Sequence, residues 1–109
     1  MTDLKQQLKG ILERHEGRAS AITSRVLSQL TGEPDRKVRL VIRELISEGL
    51  PVASSTESPA GYFLATTRKE AEGYAQSIRG RLIEDALRRR DFRRAADMHL
   101  TPASQGRLV

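Results

Sequence analysis

The chain has no cysteine and no tryptophan, only two phenylalanines and two tyrosines, and four prolines in 109 residues. Without cysteine there is no disulfide, no thiolate nucleophile and no cysteine-bound zinc. No apolar run approaches the roughly 18 residues of a membrane span. The opening stretch MTDLKQQLKG holds no apolar signal core. The expected placement is therefore cytoplasmic. A glycine-rich phosphate loop, a paired-carboxylate constellation and a nucleophile motif are all missing. His15 and His99 lie far apart and read as surface residues, and RASAITS has serines but no base beside them. No catalytic activity, cofactor or metal is expected. Aromatic residues are too few to interleave with the basic ones, Phe92 excepted, so a single-strand stacking platform is not expected either.

What the chain does have is positive charge: 19 Lys and Arg against 14 Asp and Glu, a net of +5, with a pI near 10.2. Such a balance favours polyanionic partners, nucleic acid first. Many small proteins are basic without any such partner, and composition leaves both readings open. The length allows one domain with a modest core.

Leu4, Leu8, Ile11 and Leu12 recur at helical spacing and predict a first helix over residues 3–15, capped by Asp3 or Thr2. A loop follows, with a very short strand near Ile22. Thr23 is placed to cap a second helix, in which Val26, Leu27 and Leu30 face inward and Gly32 supplies the stop. GEPD is a tight turn. Asp35 is expected to cap a third helix that runs to about Glu48 and ends at Gly49. Two helices joined by so short a turn make a helix-turn-helix arrangement. LPVAS and GYFLA then read as a hairpin with its tip at residues 55–60. Thr67 and Glu70 form a capping box for a fourth helix. The divisions expected are a domain over residues 1–66, a helix over 67–97 and a flexible tail over 98–109.

The fold class is thus α+β, mostly α, in the order of a winged helix-turn-helix with an added long C-terminal helix. The stretch from Leu4 to Thr66 resembles the winged helix-turn-helix family. Within it, VRLVIRELISEGLPV and GYFLA are similar to the DNA-binding domain of biotin-ligase-type repressors and to small phage and bacterial winged-helix proteins. In those proteins too a helix ends in Gly, a strand follows, and the wing returns through Gly-Tyr. The resemblance implies a fold more directly than an activity.

In the third helix, Val38, Val41, Ile42 and Leu45 share one side and form the expected core face. Arg36, Leu40, Arg43 and Ser47 lie opposite, with Lys37 and Arg39 on the flanks. A helix with such a face fits the DNA major groove, where Arg reads guanine and an apolar side chain touches a thymine methyl. Arg36, Leu40 and Arg43 are expected to face bases, and Lys37 and Arg39 phosphates. Ser24 and Arg25, beside Thr23 at the start of the second helix, are further candidates for phosphate; ordinary capping explains them equally well. The bland alternative for the third helix is a solvated face whose arginines pair with glutamates. The wing tip SSTESPA has no Lys or Arg and contains Glu57, so a strong grip on DNA by the wing is not expected.

The fourth helix carries Tyr74, Ala75, Ile78 and Leu82 as one narrow stripe, with Ile83 and Leu87 on another side. Such a surplus of apolar surface points to self-association, a homodimer through residues of about 74–92 by antiparallel or crossed helices; a helix that packs on its own core and then projects is the alternative. Gly73 and Gly80 sit one above the other on the rear face. Residues 79–94 hold seven arginines against Glu84, Asp85 and Asp91, a net of +4. Arg88, Arg89, Arg90 and Arg93 are candidates for sequence-independent phosphate contacts; cations near a helix C-terminus also suit the helix dipole without any partner.

Together these observations predict a small double-stranded DNA-binding protein, dimeric and nucleoid-associated. It would be a transcriptional regulator or an accessory factor of a phage or mobile element, in a bacterial or phage-infected cell. The rival expectation is a winged-helix module that docks on a replication or transcription protein.

Overall fold

The computed structural model describes residues 3–100. Among these residues the chain is α+β and mostly helical: α1 (Leu4–Glu13), α2 (Ser24–Thr31), α3 (Asp35–Ser47), β1 (Val52–Ser55), β2 (Gly61–Leu64) and α4 (Arg68–His99), with a 3-10 turn at Arg18–Ser20. The chain divides after Ala75 into two compact units. The first holds α1 to β2 and the opening turns of α4.

Each helix of the first unit starts and stops where its sequence allows. The Asp3 carboxylate accepts the Gln6 N–H at 2.9 Å and caps α1. Thr2, the other candidate cap, lies outside the described residues. The Thr23 hydroxyl accepts the Val26 N–H at 3.2 Å and caps α2. Gly32 closes α2 with a φ of 76°, a left-handed conformation that side chains with a Cβ resist. The turn from Gly32 to Pro34 is tied to α2 by side chains. Ser28 donates its hydroxyl proton to the Glu33 carbonyl, and the Thr31 hydroxyl accepts the Glu33 N–H.

The start of α3 differs from expectation. Pro34 occupies the cap position and Asp35 is already the first helical residue, so its side chain caps nothing. Proline fixes φ in advance and has no N–H to satisfy, which makes it a natural entry to a helix. The Asp35 carboxylate instead accepts from Arg39 Nε at 2.7 Å, one turn along.

The core is a single cluster in the first unit. Leu8 and Leu12 from α1, Ile22, Leu27 from α2, Val38, Ile42 and Leu45 from α3, and Val52 from β1 are all buried together. Val41 is half-buried at its edge. Covering each Leu, Ile or Val side chain contributes about 1.5–3 kcal/mol, so this cluster is what holds the three helices to the hairpin. In α2 only Leu27 reaches it. Val26 and Leu30, expected to face inward, are exposed. An eight-residue helix that packs mainly on α3 presents too narrow a strip to bury three neighbours.

β1 and β2 pair antiparallel with Val52 opposite Leu64 and Ser55 opposite Gly61. The expected short strand near Ile22 exists as one bridge. Ile22 and Tyr62 exchange both backbone hydrogen bonds, at 2.8 and 2.7 Å. Glu16 bridges Leu64 in the parallel sense, so β2 is flanked by chain on both sides. Close approach at this seam requires glycine at position 61. A Cβ there would lie 2.3 Å from the Ile22 carbonyl oxygen, and φ is 123°. The hairpin tip carries a cis Ser58–Pro59 bond.

The start of α4 is locked to the first unit by Glu70. Its N–H goes to the Thr67 hydroxyl, as a capping box requires. Its carboxylate accepts the Thr66 N–H at 3.0 Å and, across 52 residues, the Arg18 N–H at 2.9 Å. Along its whole length α4 has no buried residue. It extends through Met98 and His99, both expected in the tail; Leu100 follows the helix, and 101–109 lie outside the described residues. No helix among the described residues is long and apolar enough to cross a membrane.

Candidate nucleic-acid interface

α3 sets the site by burying one side. Val38, Ile42 and Leu45 are buried, which turns Arg36, Leu40 and Arg43 outward at i, i+4 and i+7. Leu40 is 53% exposed. Ser47 lies further along the same face, its hydroxyl bonded back to the Glu44 carbonyl.

The disposition of nearby carboxylates decides how much charge this face carries. Glu33 pairs with Lys37 at 3.4 Å, and Asp35 with Arg39 at 2.7 Å. Glu44 and Glu48 both turn to Lys5 of α1, at 3.4 and 2.6 Å. Every acid on or beside α3 is therefore engaged elsewhere, and among the described residues no ion pair reaches Arg36 or Arg43. Their charge is uncompensated and their N–H donors face solvent. Lys5 is a residue that sequence reasoning missed. Its role depends on α1 crossing beside the end of α3, and no local spacing signals that.

The flanking residues are more constrained. Arg39 donates to Asp35 and also to the Ser24 hydroxyl at 3.1 Å. The Ser24 hydroxyl and then the Arg39 guanidinium hold the Asp35 carboxyl below its ordinary range. This cluster joins the first turn of α2 to the first turn of α3, so Ser24 and Arg39 have an internal task. Arg25, one residue further on, is exposed and makes no ion pair among the described residues. Tyr62, half-buried behind the cluster, has its phenol pushed up by burial, against the pull of Arg39.

The hairpin tip offers no cation. Glu57 there receives Arg18 at 3.3 Å, which leaves most of the carboxylate in water. His15 Nδ1–H donates to the Ser20 carbonyl at 2.8 Å, a loop-bracing contact. No group of His, Asp and Glu among the described residues could hold a metal ion. A shallow recess of about 350 Å³ between Lys5, Lys9, Leu45 and Leu50 has its Lys5 already neutralised by Glu44 and Glu48.

In the second unit, Arg88 pairs with Asp85 at 3.3 Å and Arg90 with Asp91 at 3.1 Å. Arg89 and Arg93 make no ion pair among the described residues. The four candidates are thus split into two compensated and two uncompensated charges. Exposed pairs of this kind contribute little to stability and are readily exchanged for another anion.

The chain has no significant match among protein-family models, curated proteins or solved structures.

Proposed function

We propose that the first unit is a winged helix-turn-helix domain that binds double-stranded DNA, with α3 in the major groove. α2, the turn and α3 are the helix-turn-helix, and β1 and β2 are the wing. Arg36 and Arg43 pair with base edges, Leu40 meets a thymine methyl, and Arg25, Lys37 and Arg39 hold phosphates. Sequence-independent contacts from Arg88, Arg90 and Arg93 would add affinity without preference. The protein would then act as a small transcriptional regulator or as an accessory factor of a phage or mobile element.

One observation carries this reading: the acids around α3 are taken by Lys5, Lys37 and Arg39, while Arg36 and Arg43 have no counter-charge. A polyanion supplies what the protein does not.

The test is duplex binding across a salt series, followed by selection of preferred sequences. Affinity should fall steeply, with a log–log slope of about −0.9 for each phosphate neutralised. Arg36→Ala and Arg43→Ala should each cost roughly 1–3 kcal/mol on the preferred sequence and leave non-specific binding less affected. No duplex affinity at low salt would remove the reading. A second reading is favoured by one feature, the cation-free hairpin tip with its exposed Glu57: a domain that docks on a replication or transcription protein. Absence of duplex binding together with capture of such a partner would establish it.

A further inference from the structure

The second unit has a surface that DNA binding by α3 does not use. Leu82 is 65% exposed and Phe92 72% exposed, although each sits in a regular helix among strong helix formers. Ile78 is exposed as well, and Ala96 is half-covered. These residues lie on one line along α4: Ile78, Leu82, Asp85, Arg89, Phe92 and Ala96, separated by 4, 3, 4, 3 and 4 residues. That is the alternation of the seam positions in a two-helix coiled coil. Two of the six are charged and of opposite sign, and they occupy the centre.

The spacing reads the same in both directions. We infer that α4 pairs antiparallel with α4 of a second copy of this chain, Asp85 of each facing Arg89 of the other. The two-fold register then places Leu82 against Phe92 and Ile78 against Ala96, each contact occurring twice. Charge complementarity selects both orientation and register. In a parallel pair Asp85 would meet Asp85, and Arg89 would meet Arg89. Sliding the antiparallel pair by one heptad sets Asp85 against Ala96 or Leu82, so each central charge enters the seam without its partner. Covered charges left alone are costly, and a polar seam position that is satisfied in one register only is a known way to fix that register.

The structure leaves both groups available for this. Arg89 has no ion pair among the described residues, and Asp85 has only the exposed contact to Arg88 on its own helix. Gly80 falls on the outer side of α4, with nothing within 4 Å of a Cβ built there. Ile83 and Leu87 also lie off the seam, and the pairing does not cover them. The flanks oppose association: Arg79 lies near Arg93 of the second copy, and the two copies of Arg88 lie near each other. Salt screens those exposed repulsions more than the covered Asp85–Arg89 contacts. Self-association should therefore tighten as salt is added, the reverse of DNA binding.

Three measurements on the full-length protein test the inference. Sedimentation of the wild-type chain should show a monomer–dimer equilibrium. Asp85→Arg or Arg89→Asp should weaken it by about tenfold or more, because each sets like charges face to face. The double exchange of both should restore it, with helix content by circular dichroism unchanged in all variants. Orientation is read from cross-linking, for which the cysteine-free sequence gives no background. A mixture of Leu82→Cys and Phe92→Cys chains should form a disulfide that neither forms alone. A dimer cross-linked by Leu82→Cys alone would overturn the antiparallel register. So would failure of the double exchange to restore pairing. A wild-type chain that stays monomeric at every concentration, while Arg89→Asp weakens duplex binding, would assign the arginine to phosphate and overturn self-association altogether.

Discussion

α3 is 13 residues long and buries three side chains; α4 is 32 residues long and buries none. Both are rich in arginine. α3 is shaped by the core beneath it: Val38, Ile42 and Leu45 determine which way Arg36 and Arg43 point. α4 beyond its first turns relies on local terms. It is far longer than the ~12–15 residues at which an isolated helix becomes marginal, and the Asp85–Arg88 pair supports it from one turn to the next. A helix held by tertiary contacts presents a fixed face to a ligand. A helix held by itself keeps its apolar residues free for another chain.

The largest expected effect separates the two regions by stability. Leu27→Ala in α2 should destabilise the first unit by about 2–5 kcal/mol, since it opens a cavity in a closed core. Leu82→Ala should leave chemical unfolding of that unit unchanged to within about 0.5 kcal/mol and act only on self-association. If Leu82→Ala unfolded the first unit, the contrast between the regions would be wrong.

A smaller effect probes where they are joined in sequence. Hydrogen bonds from Thr66 and then Arg18 hold the Glu70 carboxyl below its ordinary value of 4.5. A carboxylate depressed in the folded state stabilises it above the unfolded value, and that contribution is lost as pH falls through the folded one. The start of α4 should therefore loosen below about pH 4.5. Amide protection factors at Arg18 and Thr66, with the intrinsic pH dependence of exchange divided out, should report it, and Glu70→Gln should remove the change with pH. Protection that stays flat from pH 6 to 3 in the wild type would show that Glu70 is not the anchor.

The smallest effect tests the local character of α4. Gly73 and Gly80 meet nothing within 4 Å at a Cβ position. Gly80→Ala should raise helix stability by up to about 1 kcal/mol. Loss of stability would mean that this side of the helix is covered by something.

Most elements could be read directly from residue order, because their signals are local. Thr23, Gly32 and the Thr67–Glu70 pair mark helix ends through hydrogen bonds within a few residues. The core face of α3 followed from its 3.6-residue period. Errors arose where the competing partner was close at hand but of another kind. Asp35 had a cation one turn along and served that instead of the helix start. Val26 and Leu30 are apolar and correctly spaced, yet only Leu27 met the core, since the width of the buried strip is set by how α2 lies on α3.

The order of amino acids alone determined the helices, the hairpin, the outward arginine face of α3 and the heptad line of α4, because each depends on contacts or angles a few residues apart. Tertiary structure decided which charges on that face are compensated. Lys5 reaches Glu44 and Glu48 from a different helix, Ser24 meets Arg39 across a turn, and Glu70 reaches Arg18 across half the chain. Coulomb and hydrogen-bond terms act over a few ångströms of space, whatever the separation along the chain.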